Sequence, residues 1–405
     1  MMGALLTLKS PLESPAPIER AVKAPTGRVR LMAFAADGEC ESCLHTYLSQ
    51  LSFPNATIKI GGIARAIQYL GAKRSPESLI VDISGADMPA SLVRDLAELC
   101  EPGVTVIAIG DRNDIGLYRD LVQAGVSEYI VKPLTLQLLA KALSPKPAAA
   151  EGSPISRKLG KVIAVVGTRG GVGTTTLAIN LAWYLANRPK RRILLLDLDL
   201  QNGDCALALN LRPTPGLREA LANPLRIDSV FLERAMAVHC EHLFVLSAEE
   251  PLRADAEFSA EAVETLVGVL RTQFHYVIAD VPRVRSAPYW RALGMADIRV
   301  IVADQTLRSV RDTVRLRAAL GEGNAAHGDL LVVNRSGEGG RYAMTLEEMA
   351  KVGLRPKVVI PFLPKLFTTA GLAPRGKFTE SVAALATEIS GRMPERTPWW
   401  RLARR

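Results

Sequence analysis

The chain has 405 residues, of which 48% are apolar and 22% charged, with a formal net charge of +9. That length and balance describe an ordinary globular protein of two or three domains. No run of eighteen apolar residues occurs, so no membrane-spanning helix is expected, and five scattered cysteines argue against a disulfide framework and fit a reducing cytoplasm. The opening MMGALLTLKS has too short an apolar stretch for a secretory signal. The positive charge permits an anionic partner without choosing one.

Residues 1–28, with Pro11, Pro15, Pro17 and Pro25, read as a flexible tail. Strands and helices then alternate from 29 to 143. Strands are predicted at 29–36, 78–84, 104–110 and 128–132, and helices at 43–51, 63–70, 89–100, 115–125 and 134–143. Such alternation predicts a parallel, doubly wound sheet. A Pro-, Ala- and Ser-rich linker spans 144–159. From 160 to 391 the same logic repeats, with strands at 162–167, 192–199, 243–248, 276–282, 298–304, 329–335 and 357–362. Their nearly unbroken apolar character suits strands covered on both faces. Residues 392–405 form a basic tail in which Trp399 and Trp400 stand beside Arg401, Arg404 and Arg405. Tryptophan and arginine together suit an anionic membrane surface, although Pro394 and Pro398 leave room for only a very short helix.

The segment 162–186 carries most of the chemistry. A strand runs into Arg169-Gly170-Gly171-Val172-Gly173 and then into a helix that opens with Thr174, Thr175 and Thr176. Glycines let the backbone approach a ligand and turn its N–H groups toward phosphate oxygens, and the positive end of the helix adds attraction. Thr175 stands where a hydroxyl would ligate Mg²⁺. Asp197 and Asp199 end one later strand and Asp280 another.

These motifs resemble the deviant phosphate loop of MinD/ParA-type ATPases. The resemblance implies ATP and Mg²⁺ as cofactors, with Thr175, Asp197 and Asp280 around the metal and Asp199 positioning the attacking water. It also implies that Asn334 and Arg335 contact the adenine, and that VVIPF at 358–362 is the next such segment. The chain departs from the family pattern where charge matters. The first family lysine corresponds to Arg169 and the second, which holds the terminal phosphates, to Thr174. The glycine before the first lysine is Thr168. Phosphoryl transfer depends on positioning and charge, so hydrolysis should suffer more than binding.

Residues 29–143 resemble a response-regulator receiver of flavodoxin-like fold. IVDISGADMP offers Asp82 as the candidate phospho-acceptor, and YIVKPL offers Lys132 and Pro133. The receiver's acidic pair is poorly matched by Asp37 and Glu39, which come late and apart, and Gly110 stands where Ser or Thr is usual. A docking or dimerisation module is therefore expected here.

A receiver-like region, a linker and a MinD/ParA-like region, in that order, resemble the CpaE/TadZ family of pilus-assembly proteins. The resemblance implies a cytoplasmic homodimer, polar or peripheral at the inner membrane. It would serve tight adherence (Flp, type IVb) pili or related secretion machinery, alongside a secretion ATPase and membrane platform proteins of the tad/cpa system. Two other readings stay open: a partition-type ATPase on nonspecific DNA, and a receiver-controlled response regulator. Arg308, Arg311 and Arg315 share a helix side that would suit DNA, yet the missing lysines make nucleic acid an unexpected partner. Cys40 and Cys43 form an incidental C-x-x-C pair, and His239, Cys240 and His242 are expected on a solvated turn.

Overall fold

The computed structural model describes residues 29–144, 159–187, 191–253, 257–284, 286–321, 328–339, 342–364, 371–373 and 376–390. The flexible tail, nearly all of the linker and the tryptophan-containing tail named above lie outside the described residues.

The N-terminal unit runs β1 (Leu31–Ala35), α1 (Gly38–Gln50), β2 (Thr57–Ile60), α2 (Gly62–Leu70), β3 (Ser78–Asp82), α3 (Pro89–Leu99), β4 (Thr105–Gly110), α4 (Ile115–Gln123), β5 (Glu128–Val131) and α5 (Leu136–Leu143). Its five strands lie in the order β2-β1-β3-β4-β5, and every pairing is parallel. Period-two alternation divides β1 between two cores. Met32 and Phe34 join one, while Leu31, Ala33 and Ala35 join the other. Helices cover both faces. Asp37, Asp114 and Thr135 cap α1, α4 and α5 by accepting backbone N–H bonds. The edge strand β2 lies outside the strands predicted from sequence. Its four residues are all half-buried or exposed, so it lacks the apolar run that marked its neighbours.

The larger unit begins with β6 (Lys161–Gly167), α6 (Thr174–Ala186), β7 (Ile193–Asp197), α7 (Cys205–Ala208), α8 (Gly216–Ala222), α9 (Ser229–Ala235), β8 (Ala237–Cys240) and β9 (Leu243–Leu246). It continues with α10 (Ala260–Arg271), β10 (Tyr276–Val281), α11 (Ala287–Met295), β11 (Ile298–Ala303), α12 (Leu307–Leu320), β12 (Gly328–Ser336), α13 (Leu346–Lys351), β13 (Val358–Pro361) and α14 (Lys377–Ser390). The strand order is β13-β12-β11-β6-β10-β7-β9-β8, and only the β8–β9 pairing is antiparallel among the described residues. Val162, Ala164 and Val166 face one core and Ile163 and Val165 the other, which is why these strands read as continuous apolar runs. Helix α6 is apolar nearly all round because it packs on the sheet and against α14.

His239 and Cys240 lie on β8, which corrects the solvated turn expected there. Both are half-buried, and burial holds the His239 imidazole below its ordinary value.

The two units meet through the loops at the N-terminal ends of their strands. Arg74 pairs with Glu233 at 2.9 Å, and Arg192, just before β7, pairs with Glu101 at 3.3 Å. The Arg192 guanidinium lies 4.6 Å and 5.0 Å from the ring centroids of Phe244 and Phe274. Such contacts contribute up to about 2 kcal/mol each when desolvated. A cavity of about 320 Å³ between the units is lined by Lys73, Arg74, Glu101, Arg192 and His242, among others. The C-terminal strand ends, where ligands bind in open α/β sheets, consequently point away from the junction in both units.

Candidate functional site

In the larger sheet the chain leaves β6 toward β7 on one side and later fills β11, β12 and β13 on the other. The crevice at such a switch point is the expected ligand position, and the loop 168–173 lies there. Gly171 (φ +78°) and Gly173 (φ +88°) both occupy conformations that L side chains rarely adopt. A Cβ on Gly170 or Gly171 would meet no atom within 4 Å, so the space above them is open. A Cβ on Gly173 would strike the Asn334 side-chain amide. The loop then enters α6 at Thr174, whose uncapped N–H groups face the same opening.

Thr168 is fully buried and shares a 2.8 Å hydrogen bond with the Ser309 hydroxyl. Arg169 is turned aside: Nη1 donates to Thr306 Oγ1 at 3.1 Å and lies 4.0 Å from Asp304. Val172 is buried in the core beneath the loop. The Thr174 hydroxyl packs against Gly167 at the end of β6. Thr175 and Thr176 border a cavity of about 300 Å³ with Asp204, Leu207 and Gly371.

Behind the loop, Asp197, Cys205 and Asp280 bring one ligand atom each within 4.8 Å of one another. They are 1%, 0% and 7% exposed. Cys205 N–H donates to Asp197 Oδ2 at 3.1 Å, and its thiol donates to Asp280 Oδ2 at 3.8 Å. Thr175 hydrogen-bonds to the Asp280 carboxyl as well. Burial and the neighbouring Asp197 charge push Asp280 up to about 7, against the bond from Thr175. Burial raises Asp197 to about 6, against the N–H groups of Cys205 and Asp199. Burial and both carboxylates push the Cys205 thiol well above its ordinary value. These two buried carboxyls, with no ion-pair partner among the described residues, could hold a divalent metal. Cys205 is absent from the sequence-based site. It follows directly on the acid-bearing segment 197–204, but only the turn after β7 brings its thiol to the acids. Asp199 does not join this group; its carboxylate accepts the Asn202 N–H at 2.9 Å.

Asn334 and Arg335 end β12 against the loop. Asn334 donates to the Val172 carbonyl at 2.8 Å, and Arg335 Nη1 donates to the Gly171 carbonyl at 3.0 Å. Arg308, Arg311 and Arg315 are exposed on α12, and Arg311 also pairs with Asp312 at 2.9 Å.

The N-terminal unit gathers a second group at its own switch point. Asp82 ends β3 and is 1% exposed. Lys132 Nζ lies 2.8 Å from Asp82 and 3.4 Å from Asp37. Burial alone would raise Asp82, but Lys132 and the N–H groups of Ser84 and Ala36 outweigh it and hold the carboxyl below its ordinary value. Asp37, expected to fall short of this pocket, is drawn into it by Lys132, while Glu39 is exposed on α1. Cys40 is buried against the group, and burial followed by Asp82 pushes its thiol to about 12. The C-x-x-C pair thus has one member packed on the acid site, while Cys43 is only half-buried.

Residues 160–320 match a family model described as an AAA domain. In fold this region is an α/β domain with a mostly parallel sheet, similar to that of a ParA family ATPase. The septum site-determining protein MinD of Synechocystis sp. is 31% identical over 178 residues, which are 44% of this chain and 65% of that protein. The chain spans less than two thirds of the length of curated relatives such as this one. Among solved structures, a ParA family ATPase from Chlorobium tepidum TLS superposes with a TM-score of 0.52 at 20% identity, covering 57% of this chain and 99% of that one. A pilus assembly protein CpaE from Caulobacter crescentus CB15 is similar over 28% of this chain and 96% of its own, at 31% identity and a TM-score of 0.27. No helix among the described residues is long and apolar enough to cross a membrane. The larger unit presents its loop, its two acids and the end of β12 around one opening.

Proposed function

We propose that the chain is an ATP-binding localisation and assembly factor of the CpaE/TadZ type, serving tight adherence pili or related secretion machinery. Nucleotide would drive dimerisation, and hydrolysis would be weak or absent. The observation that carries this is the open glycine loop at the head of α6 with Thr175, Asp280 and Asp197 behind it and no lysine at 174.

The residues present fit a magnesium-bound triphosphate. Loop N–H groups from Gly170 to Thr176 would hold the phosphates, Thr175 would ligate Mg²⁺, and Asp280 and Asp197 would hold its waters. The metal supplies positive charge against the phosphates. The chain's own part is to fix those groups. Asp199 remains the candidate for positioning water, and its bond to Asn202 fits slow turnover. A second copy of the chain, the secretion ATPase and its membrane platform are the partners this reading requires, at a polar or peripheral inner-membrane location.

The test measures ATP–Mg²⁺ affinity by calorimetry and mass by light scattering, in wild type and Gly171→Arg. Gly171→Arg fills the open space above the loop and should abolish both binding and nucleotide-dependent dimers. Dimers that form without nucleotide in both proteins would remove the switch.

The Asp82–Lys132–Asp37 group favours a second reading, a receiver that controls the ATPase-like domain. Labelling of Asp82 by acetyl phosphate with Mg²⁺ would support it, and its absence would leave the N-terminal unit a docking module. The exposed α12 arginines are what a DNA-binding ATPase would use. A salt-sensitive DNA shift would support that role, since phosphate contacts release counterions.

A further inference from the structure

A triphosphate brings several negative charges to a loop whose own sequence offers little to meet them. Thr174 is neutral and packs back on Gly167. Arg169 is held by Thr306 and lies beside Asp304, on the α12 side of the loop. Another guanidinium reaches the loop from the end of β12. Arg335 Nη1 donates to the Gly171 carbonyl at 3.0 Å.

The placement of Arg335 is built into the fold. Its φ is +56°, a left-handed conformation uncommon for a residue with a side chain. Asn334 holds it there. Asn334 Oδ1 accepts the Arg335 N–H at 2.9 Å, while Nδ2 donates to the Val172 carbonyl at 2.8 Å. Gly173 lacks the Cβ that would strike that amide. Glu338 pairs with Arg335 Nη2 at 2.5 Å, and the Phe362 ring centroid lies 5.5 Å from the guanidinium carbon. The end of β12 and the phosphate loop are therefore one hydrogen-bonded unit with a cation at its rim. A guanidinium has five N–H donors in a planar fork that matches phosphate oxygens. These bonds use Nη1 and Nη2 once each, so the side chain can bind an anion without first leaving the loop.

We propose that Arg335 is the cation of the phosphate loop. It supplies from the end of β12 the charge that Thr174 lacks, and it selects polyphosphate over uncharged nucleoside. This rests on the nucleotide reading above and changes the role of Arg335 from base contact to phosphate contact.

Calorimetry on the full chain with ATP, ADP and adenosine, each with Mg²⁺, tests it in wild type, Arg335→Gln, Arg335→Lys, Arg169→Gln and the double variant Arg335→Gln/Thr174→Lys. Circular dichroism melts confirm that each variant is folded. Arg335→Gln should weaken ATP by roughly tenfold or more, the scale of one lost hydrogen bond to a charged group. ADP should weaken less, and adenosine should be unchanged. Arg335→Lys should recover part of the affinity, and adding Thr174→Lys to Arg335→Gln should restore it. Arg169→Gln should leave affinity within about twofold, the size of an exposed ion-pair effect. Unaltered ATP binding by Arg335→Gln would overturn the inference while the nucleotide reading stands. An equal loss for adenosine would return Arg335 to the base. Wild type that binds no ATP would remove both readings together.

Discussion

Asp82 in the N-terminal unit and Asp280 in the larger one occupy equivalent places. Each lies at the C-terminal end of a parallel strand and is nearly sealed from water. Burial pushes both carboxyls upward, yet Asp82 is held below its ordinary value while Asp280 reaches about 7. The difference is the neighbour. Asp82 has the Lys132 ammonium at 2.8 Å, whereas Asp280 faces a second buried carboxyl, Asp197. The first site holds its acid against a cation of its own chain. The second sets two acids side by side with no ion-pair partner among the described residues.

Removing the internal cation should make the first site resemble the second. Lys132→Ala leaves Asp82 buried and unpaired and should destabilise the chain by roughly 3 kcal/mol, as broken buried ion pairs do. Denaturant unfolding at neutral pH measures this, and a loss below about 1 kcal/mol would show that the backbone N–H groups suffice. The junction between the units is the next test. Glu101→Gln removes the carboxylate facing Arg192 and Arg74 and should cost about 2 kcal/mol. Faster proteolysis of the intact chain should accompany it, whereas wild-type stability and cleavage would exclude the ion pairs as the link.

The converse change applies to the second site. Asp280→Asn removes one of two like charges and should stabilise the metal-free chain by about 1 kcal/mol at pH 8, near one pKa unit of interaction. Melting temperatures with and without Mg²⁺ check this. A variant less stable than wild type without metal would mean that the pair is not repulsive.

The pH profile probes the same pair by titration. The folded values of Asp197 and Asp280, about 6 and about 7, exceed the ordinary 3.8. Between roughly pH 4 and 7 the folded chain thus holds protons that the unfolded chain has released. By linkage, this contribution is present at the acid end and is lost as pH rises through those values. Asp82 and Asp37 act oppositely, contributing above their ordinary value and losing that contribution as pH falls below it. Comparing wild type with Asp280→Asn across this window isolates the first term. Parallel profiles would reject it.

Much of the second site is written locally. Strand, glycine turn and threonines are contiguous, so 162–176 is legible without tertiary information, and Asp197 and Asp280 each close an apolar strand. Cys205 and the latch from Asn334 to Val172 are not legible, because each joins residues far apart in sequence through the ends of neighbouring strands. Strand β2 and strand β8 escaped for a different reason. Both are short edge strands with half-exposed residues, and their apolar pattern is too weak to separate from a loop.

By itself the sequence determined the alternation of strands and helices, the glycine loop with its missing lysines, and the acids at strand ends, because each depends on residues adjacent along the chain. Tertiary structure alone decided which acid meets a cation. Lys132 reaches Asp82 across fifty residues, and Arg335 reaches Gly171 across 164. Parallel sheets place distant strand ends side by side, and charge at those ends takes its meaning from neighbours that the order of residues does not name.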